Sequence, residues 1–487
     1  MPRYSYERLS AQDASFLAAE TSTVHMHITG AQIFDAQPII TPDGGIDIKA
    51  IKRSVESVLH LIPHYRQRLK WIPFENHPVW VDDHHFNLDY HIRHTALPRP
   101  GHNEQLKLLC SRIMDQPLDR QRPLWEFWVA EGLEGNRFAI ITKMHHCMLD
   151  GQAGADLTHI LLSLTPQGEV NEPVPYMPRP SPTSMELFRD SLSQRLTMPL
   201  RAIAGLREVT RLTADAREEF WVRVKALADL LGWAVQPASD TPLNGRVGPH
   251  RRFDYLVTPL PDVKRIAKKA GASVNDVVLS VVTGAVREFL IRRRVRPDKI
   301  DFRVSAPVSV RRGEQRGEMG NHVSAWIVRL PIGEAEPAAQ LERIRTITEE
   351  LKRSRQALGV ETMMAVAEWT PAVLLSLGAR AASGPINMIV TNVPGPQVPL
   401  YLLGCRLLEV FPQVPLLQTT GLGVALFSID GKLCWGFNAD YELIPDLRYF
   451  VRAIEASLGR LAAAVGVTLG ERSASPVIEL RAQPPTA

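Results

Sequence analysis

The sequence predicts a mixed α/β (α+β) fold with two lobes, each a mixed sheet with helices. Three observations support this prediction. The 487 residues suffice for two or three domains of ~150 residues, segments with strand and helix periodicity follow one another in both halves, and six prolines between residues 165 and 183 separate the halves. We therefore predict an N-terminal lobe over residues 1–165, a proline-rich and helical crossover over 166–245, a C-terminal lobe over 246–470 and a disordered tail over 471–487.

The elements of the first lobe follow from hydrophobic periodicity and capping residues. Ser10 is a candidate N-cap for a short helix, and apolar residues at helical spacing predict an amphipathic helix. β-branched and apolar runs predict strands. In order, the lobe contains a short helix after Ser10, a strand over 24–34, a helix over 48–61, a strand region over 79–94, a helix over 103–114, and strands over 127–131 and 137–143 joined by a turn at 134–136.

The same criteria apply to the rest of the chain. Residues 184–233 are predicted to be helical. Their eight Lys/Arg and seven Asp/Glu residues favour packing between the halves over contact with anionic lipid. Ser273 is a plausible cap for a long helix. The second lobe then contains a strand from Phe253, helices over 262–270 and 273–292, a strand over 302–310, helices over 341–351 and in much of 354–380, strands over 387–391, 422–429 and 433–438, and a final helix over 446–465.

Composition is that of a soluble globular protein, with 22% charged and 45% hydrophobic residues. A net charge of +4 is small for this length and does not indicate a nucleic-acid partner. Four scattered cysteines without a C-x-x-C pair fit a reducing cytoplasm, and the N-terminus lacks the apolar core of a signal peptide. The uncharged stretches 381–405 and 410–429 are interrupted by proline and glycine, so neither predicts a spanning helix. We expect a cytoplasmic protein that contacts a membrane or lipid inclusion only from its surface.

The predicted strand 137–143 leads into a group of titratable residues. His145 and His146 follow at its end, Asp150 is four residues beyond His146, and Gly151 allows a close turn. Histidine can take and return a proton near neutral pH. Adjacent residues on a strand point to opposite faces, so only one of the two histidines can face a given site.

Cys147, the basic residues and the other histidines allow further chemical interpretations. Cys147 could be a nucleophile beside imidazole, although a buried cysteine is more often a small hydrophobe. A zinc site lacks further ligands at suitable spacing. Nine Lys/Arg residues between 292 and 316 are either a solvated surface or a dock for the phosphates of a CoA-like ligand or of lipid headgroups. Four histidines in the strand region are either a polar strand face or metal ligands, and strand spacing, which would disperse them, favours the polar face. They are His84, His85, His91 and His94.

The pattern His145-His146-x-x-x-Asp150-Gly151 resembles the signature of chloramphenicol acetyltransferase-like acyltransferases, which have two such lobes. Five further segments follow in order: Pro123-Leu124-Trp125, Asn275-Asp276, Met319 to Ser324 with Asn321, Asn392 to Pro396 with Pro394 and Gly395, and Gly436 to Asp440. Together with the histidine motif, they resemble the bacterial wax ester synthase/acyl-CoA:diacylglycerol acyltransferase family over about residues 9–465. The Asp-Phe-Gly-Trp-Gly signature of plant acyltransferases is not found.

The resemblance implies transfer of a long-chain fatty acyl group from acyl-CoA to diacylglycerol or to a long-chain alcohol, giving triacylglycerol or wax ester. It implies no permanently bound cofactor and no metal, with acyl-CoA as co-substrate and a peripheral lipid surface as partner. His146 would be the general base, His145 and Gly151 would support the motif, and Asp150 would hold the loop. Substrate binding would fall to Pro123, Leu124, Trp125, Asn275, Asp276, Asn321, Asn392, Pro394 and Gly395.

Several alternatives stay open at this point. No Gly-x-Ser-x-Gly elbow is present, so direct transfer is expected rather than an acyl-serine. Pro123 to Trp125 would equally serve as core packing, and Asn392 to Pro396 as a rigid turn. A condensation-type enzyme with a carrier-bound donor, or a non-catalytic protein of lipid surfaces, would also fit the pattern.

Overall fold

The computed structural model describes residues 4–148, 160–168, 171–193, 238–309, 323–353 and 386–470. Over these ranges two six-stranded sheets form the centres of two lobes, and a three-stranded sheet accompanies the first. The predicted two-lobed mixed α/β fold is confirmed. The expectations for Asp150, Gly151, Asn321, the greater part of the helical crossover (194–237), the helices within 354–380 and the tail from residue 471 lie outside the described residues.

Fifteen strands are present in the part of the chain that the structure describes. The three-stranded sheet has the order β1-β4-β3, the first lobe has β12-β13-β2-β7-β6-β5, and the second has β10-β9-β11-β14-β15-β8. The strands are β1 (Glu7–Arg8), β2 (His27–Asp35), β3 (Gln67–Trp71), β4 (Pro78–Asp82), β5 (Ile92–Ala96), β6 (Trp125–Leu133), β7 (Arg137–His145), β8 (Arg251–Pro259), β9 (Phe302–Ser309), β10 (Val323–Leu330), β11 (Met388–Pro394), β12 (Tyr401–Leu402), β13 (Cys405–Gln413), β14 (Leu422–Ile429) and β15 (Lys432–Asp440).

Several helices begin at a residue whose side chain caps them. The Ser273 hydroxyl accepts the N–H of Asp276, and the Asp276 carboxylate accepts the N–H of Ser273. Asp47 caps a second helix at the N–H of Ala50. Numbered over the described ranges, the helices are α1 (Ala11–Ala19), α2 (Ile48–Val58), α3 (Leu88–His91), α4 (Asn103–Asp115), α5 (Leu260–Ala270), α6 (Val274–Arg292), α7 (Pro337–Arg353) and α8 (Leu447–Ala464).

The second lobe buries α6 almost completely. This helix packs against both α7 and α8 and shares a hydrophobic core with the sheet. Its sequence is correspondingly apolar around most of its circumference, with twelve buried residues. The predicted 273–292 helix therefore forms the centre of the C-terminal lobe.

The two lobes are joined by strands from the second half of the chain. β13 pairs antiparallel with β2 and so extends the first lobe's sheet, and β12 adds the edge strand. The end of β13 also passes close to β15, where a Cβ on Gly436 would lie 1.8 Å from the carbonyl oxygen of Pro412. Asn438 Nδ2 donates to Val414 O nearby (2.8 Å). The C-terminal half thus completes the sheet that carries the two histidines.

Candidate active site

The two histidines of the motif are held by the backbone at the end of β7. β2 and β7 pair antiparallel, with His27 opposite His145. The N–H of His145 donates to Leu124 O (2.9 Å), and the N–H of His146 donates to Met26 O (2.7 Å). A 3₁₀ turn over His146–Met148 then begins. Neighbouring strands therefore fix the chain position of both residues.

The imidazole of His145 is buried and linked to a carboxylate. Its Nδ1 accepts the N–H of Cys147 (3.1 Å), so this nitrogen carries no proton and Nε2 carries it instead. Nε2 lies 3.3 Å from Glu20 Oε1, without the alignment of a good hydrogen bond. His145 consequently braces the turn that contains His146 and is itself positioned by Glu20.

Glu20 is the charged centre of this network, and the sequence did not identify it. It follows α1 directly, and its Oε1 accepts the N–H of Met26 (2.8 Å) while its Oε2 accepts from Arg120 (2.6 Å). The Nε2 atom of His27 lies 3.7 Å from Oε1. Burial alone would raise the pKa of Glu20, but the close approach of His145, together with the hydrogen bond from Arg120, outweighs burial and lowers that pKa below its ordinary value. Glu20 is therefore a carboxylate at neutral pH.

His146 is placed differently from its neighbour. Its ring stacks on Phe16, with the ring centroids 3.8 Å apart. Its Nδ1 atom is buried and has no hydrogen-bond partner among the described residues. Burial lowers the pKa of His146 to about 4. At neutral pH the ring is neutral, and one nitrogen is free to accept a proton.

Cys147 lies next to this ring but is poorly suited to nucleophilic attack. Its side chain is buried in the core of the first lobe. Burial raises the pKa of the thiol well above its ordinary value. The thiolate is the nucleophilic form of cysteine, so the geometry favours the interpretation of Cys147 as a small hydrophobe.

The structure places Leu124 and Trp125 in the hydrophobic core. Both are fully buried, and Pro123 is buried beside them. Trp125 Nε1 donates to Tyr65 O (2.8 Å), and its ring stacks on His91 at 4.5 Å between centroids. The contacts of this segment match the core-packing interpretation, and its carbonyl at Leu124 positions His145.

The residues expected from the second lobe have distinct surroundings. Asp276 is buried, and its two oxygens accept from Ser273 and from Thr348 Oγ1 (2.7 Å), so it completes a helix cap and contacts α7. Asn275 and Asn392 are half-buried. Gly395 allows a close approach, because a Cβ there would lie 2.4 Å from Phe427 and from Ser428 O, whereas Pro394 is exposed.

The candidate metal ligands and two arginines of the basic region have structural contacts. Over the described ranges, no group of three or more His, Cys, Asp or Glu residues could hold a metal ion. His91 Nδ1 donates to Trp125 O (2.7 Å) and so belongs to the core. In the basic region, Arg293 binds Asp446 (2.5 Å) and two carbonyls, while Arg303 binds Asp301 (2.5 Å). These two arginines are structural. Within the described part of the chain, no helix has both the length and the apolar content to cross a bilayer.

A cleft of about 780 Å³ lies between the lobes, next to the Glu20 network. The loop 21–24, which follows Glu20, lines one side, and residues from the second lobe line the other. Most of these side chains carry hydroxyl or amide groups, including Ser239, Asn244, Asn387 and Thr419. The cleft therefore presents hydrogen-bonding groups to a polar ligand.

Neither Glu20 nor His27 was predicted as part of the site. Both precede the motif by more than a hundred residues. The pairing of β2 with β7 brings His27 to His145, and Glu20 follows α1, which packs on the His146–Met148 turn. The alternation His25-Met26-His27 at the start of a predicted strand was the available signal for His27. No local pattern distinguishes Glu20 from a surface glutamate.

Comparison with known proteins agrees with this architecture. The wax ester synthase/diacylglycerol acyltransferase catalytic domain matches residues 9–278, and the WS/DGAT C-terminal domain matches residues 319–462. A probable diacylglycerol O-acyltransferase of Mycobacterium tuberculosis, tgs1, is 32% identical over 473 residues, covering 93% of this chain and 96% of the relative.

Solved structures show the same fold. The wax ester synthase/diacylglycerol acyltransferase of Marinobacter aquaeolei VT8 aligns with a TM-score of 0.66 at 24% identity, covering 94% of this chain and 100% of that one. The first condensation domain of the CDA synthetase aligns with a TM-score of 0.58 at 17% identity, covering 96% and 100%. Taken with the family matches over both lobes, these results show that the chain belongs to the wax ester synthase/diacylglycerol acyltransferase family.

Proposed function

We propose that this acyltransferase moves a long-chain fatty acyl group directly from acyl-CoA to the hydroxyl of diacylglycerol, of a long-chain alcohol, or of both. The observation that carries the mechanism is His146, a neutral imidazole whose buried Nδ1 has no partner among the described residues. A general base must be unprotonated before reaction and fixed in position. The Glu20–His145 network supports the fixed position of His146.

The proposed step balances with protein side chains alone. A nitrogen of His146 accepts the proton of the acceptor hydroxyl as the oxygen attacks the thioester carbonyl. The tetrahedral oxyanion then collapses, the carbon–sulfur bond breaks, and the CoA thiolate receives the proton from His146. Hydrogen-bond donors near the oxyanion would lower the barrier, and half-buried Asn275, in the second lobe, is our candidate donor. Asp150 and Gly151 keep their proposed roles in holding the loop.

We further propose that the interlobe cleft admits the polar arm of acyl-CoA. Pantetheine carries amides and a hydroxyl, which require hydrogen-bonding partners when they leave water. The hydroxyl and amide side chains of the cleft supply such partners. Its position beside Thr21, one residue after Glu20, supports delivery of a thioester toward the histidines.

The test is thiol release from palmitoyl-CoA with diacylglycerol or hexadecanol offered separately. We expect release that depends on the acceptor, with the preferred acceptor naming the product. The Cys147→Ala variant should retain activity within about twofold, because direct transfer needs no acyl-cysteine. Thiol release from palmitoyl-acyl-carrier protein but not from palmitoyl-CoA would show that the acyl donor is carrier-bound. A trapped acyl-enzyme on Cys147 would overturn direct transfer.

Glu20 should influence the rate through His145. We expect Glu20→Gln to lower kcat about ten- to a hundredfold, or about 1.4–2.8 kcal/mol, because the amide keeps the shape but loses the charge that faces His145. The KM values should change little, since Glu20 contacts other protein groups rather than the proposed substrates. The measurement is steady-state thiol release together with the Tm.

A matched control is available at the surface. Glu134 also pairs with a histidine, His102 Nδ1 at 2.7 Å, but both side chains are more than one-third exposed. Glu134→Gln should leave kcat unchanged, because exposed pairs contribute little. If Glu20→Gln behaves like Glu134→Gln, the proposed positioning role is incorrect.

A further inference from the structure

We propose that an exposed apolar surface on the first lobe docks the enzyme onto a lipid surface that contains anionic headgroups. The surface, here called the hairpin patch, comprises Phe74, Met185, Phe188 and Leu192. The proposal rests on the proposed function, because its acceptors and products are insoluble in water and must be reached at a lipid surface. It specifies which face of the molecule makes that contact.

Phe74 is the centre of the hairpin patch and is unfavourable for the fold in two respects. It lies in the turn between β3 and β4, and 95% of its surface is exposed. Its φ is +63°, a left-handed conformation that bulky side chains rarely adopt. Exposure yields little hydrophobic stabilisation, and asparagine or glycine would suit this backbone better. A phenylalanine here is explained by a contact outside the folded chain.

The helical residues 184–193 extend the same surface. On the inner side, Leu187 is fully buried and packs in one cluster with Ile72, Val79 and Val81. On the outer side, Met185 is 73% exposed and Leu192 is 46% exposed, with the half-buried Phe188 between them. The spacing of three and four residues places these three side chains on one stripe.

The hairpin and the helix form one continuous patch. The rings of Phe74 and Phe188 meet edge to face, with centroids 5.4 Å apart. Aromatic and methionine side chains adapt well to irregular apolar surroundings. Exposed apolar groups gathered in this way mark an interaction surface, in contrast to single exposed hydrophobic residues.

The charges around the hairpin patch favour an anionic lipid surface as the occupant. Glu75 turns toward Arg8 and Ser191, with which it interacts. Asp190 accepts from Tyr4 (2.8 Å) and Tyr6 (3.4 Å). Glu186, the third carboxylate of the rim, accepts from the N–H (2.7 Å) and the hydroxyl (2.8 Å) of Thr183. All three carboxylates are therefore engaged by the protein.

The arginine at the rim remains directed to solvent. Arg189 lies 3.8 Å from Asp190, but 73% of its side chain is exposed. A long cationic side chain beside apolar groups can extend to lipid phosphates while its stem stays near the acyl region. Anionic headgroups attract such residues at the membrane surface.

The test compares Phe74→Asn, alone and combined with Leu192→Ser, with the wild type. Asparagine tolerates the left-handed conformation, so the fold should be retained, as checked by the Tm. Ile291→Ser is the matched control, since Ile291 is 51% exposed on the other lobe. Vesicles of phosphatidylcholine with one-quarter phosphatidylglycerol, and vesicles of phosphatidylcholine alone, are sedimented with each protein.

We expect the double variant to bind the mixed vesicles at least tenfold more weakly than the wild type, and Ile291→Ser to bind them normally. Wild-type binding should weaken on pure phosphatidylcholine. Thiol release with a detergent-dispersed acceptor should be unchanged in the double variant, whereas release with vesicle-borne diacylglycerol should fall.

The outcomes separate docking from chemistry. Equal vesicle binding by the wild type and the double variant would overturn the docking proposal, even if acyl transfer is confirmed. Patch-dependent binding by a protein that releases no thiol would retain docking and reject the proposed function. A wild-type dimer that the double variant disrupts, without vesicle binding by either, would show that the patch contacts a second copy and would also overturn the proposal.

Discussion

The variant His146→Ala is expected to lower kcat for acyl transfer by about a thousandfold while the Tm stays within a few degrees. A positioned general base contributes roughly 10²- to 10⁴-fold, and a thousandfold corresponds to about 4 kcal/mol. Among the described residues, the ring stacks on Phe16 and its Nδ1 has no hydrogen-bond partner. The backbone bond from His146 to Met26 survives the substitution. Loss of the ring therefore removes chemistry with a small cost in folding.

His145→Ala provides the contrast within the same motif. His145 accepts the N–H of buried Cys147 and faces Glu20, so its removal leaves buried polar groups without partners, which is destabilising. We expect this variant to lose both activity and thermal stability. If His146→Ala retains more than one-tenth of the wild-type kcat, His146 is not the general base.

The pH profile provides a second measurement on the same residue. The base acts when unprotonated, and burial lowers the pKa of His146 to about 4. The acidic limb of kcat/KM should therefore lie well below pH 6.5, with a flat profile between about pH 6 and 8. Between about pH 4 and 6.5 the unfolded chain binds more protons at this site than the folded one, so the free energy of unfolding falls as the pH decreases. An inflection near pH 6.5 in a fully folded sample would contradict the assignment.

Local pattern was sufficient to locate most of the regular elements. The helix predicted over 103–114 is found at Asn103–Asp115, and the helix over 446–465 at Leu447–Ala464. Both have apolar residues at helical spacing over several turns, which is the strongest local signal. The strand region predicted over 79–94 was only partly correct, because a short helix at Leu88–His91 interrupts it. Asn87 caps that helix at the N–H of Asp89 (2.9 Å), a side-chain bond that outweighs strand propensity.

Contacts between segments that are distant in the sequence could not be predicted from local pattern. The motif marked His145 and His146, but the carboxylate beside His145 comes from Glu20 at the end of α1, a helix that packs on the His146–Met148 turn. Trp125 illustrates the same limit, because a buried tryptophan and one in a substrate channel have similar sequence surroundings. Only its stack on His91 and its bond to Tyr65 O favour packing.

The connection between the lobes also depends on distant residues, and it leads to the second large effect. We expect Gly436→Ala to lower the free energy of unfolding by about 3 kcal/mol or more, because overpacking against backbone cannot be relieved by a rotamer change. A Cβ at this position would lie 1.8 Å from the oxygen and 2.9 Å from the carbon of the Pro412 carbonyl. Gly436 is in the middle of β15, where glycine is otherwise unfavourable and marks a close backbone approach.

Gly459→Ala is the matched control for this substitution. Gly459 lies within α8, and no atom lies within 4 Å of where its Cβ would be. Alanine should therefore stabilise the helix by about 0.5–1 kcal/mol. Urea denaturation of both variants and the wild type measures their free energies of unfolding. A shifted midpoint with an unchanged slope reports a change in stability.

The consequence for activity follows from the strand that Gly436 contacts. Separating β15 from the end of β13 would disturb β13, which pairs with β2 on the edge opposite β7. β2 begins at His27, just after Met26, which accepts from the N–H of His146. We therefore expect the Gly436→Ala variant to be less stable and to lose its activity at a lower urea concentration than the wild type. The contrary outcome is a variant whose free energy of unfolding stays within about 0.5 kcal/mol of the wild type. It would show that β15 can separate from the end of β13 without cost, and that the C-terminal half does not fix β7.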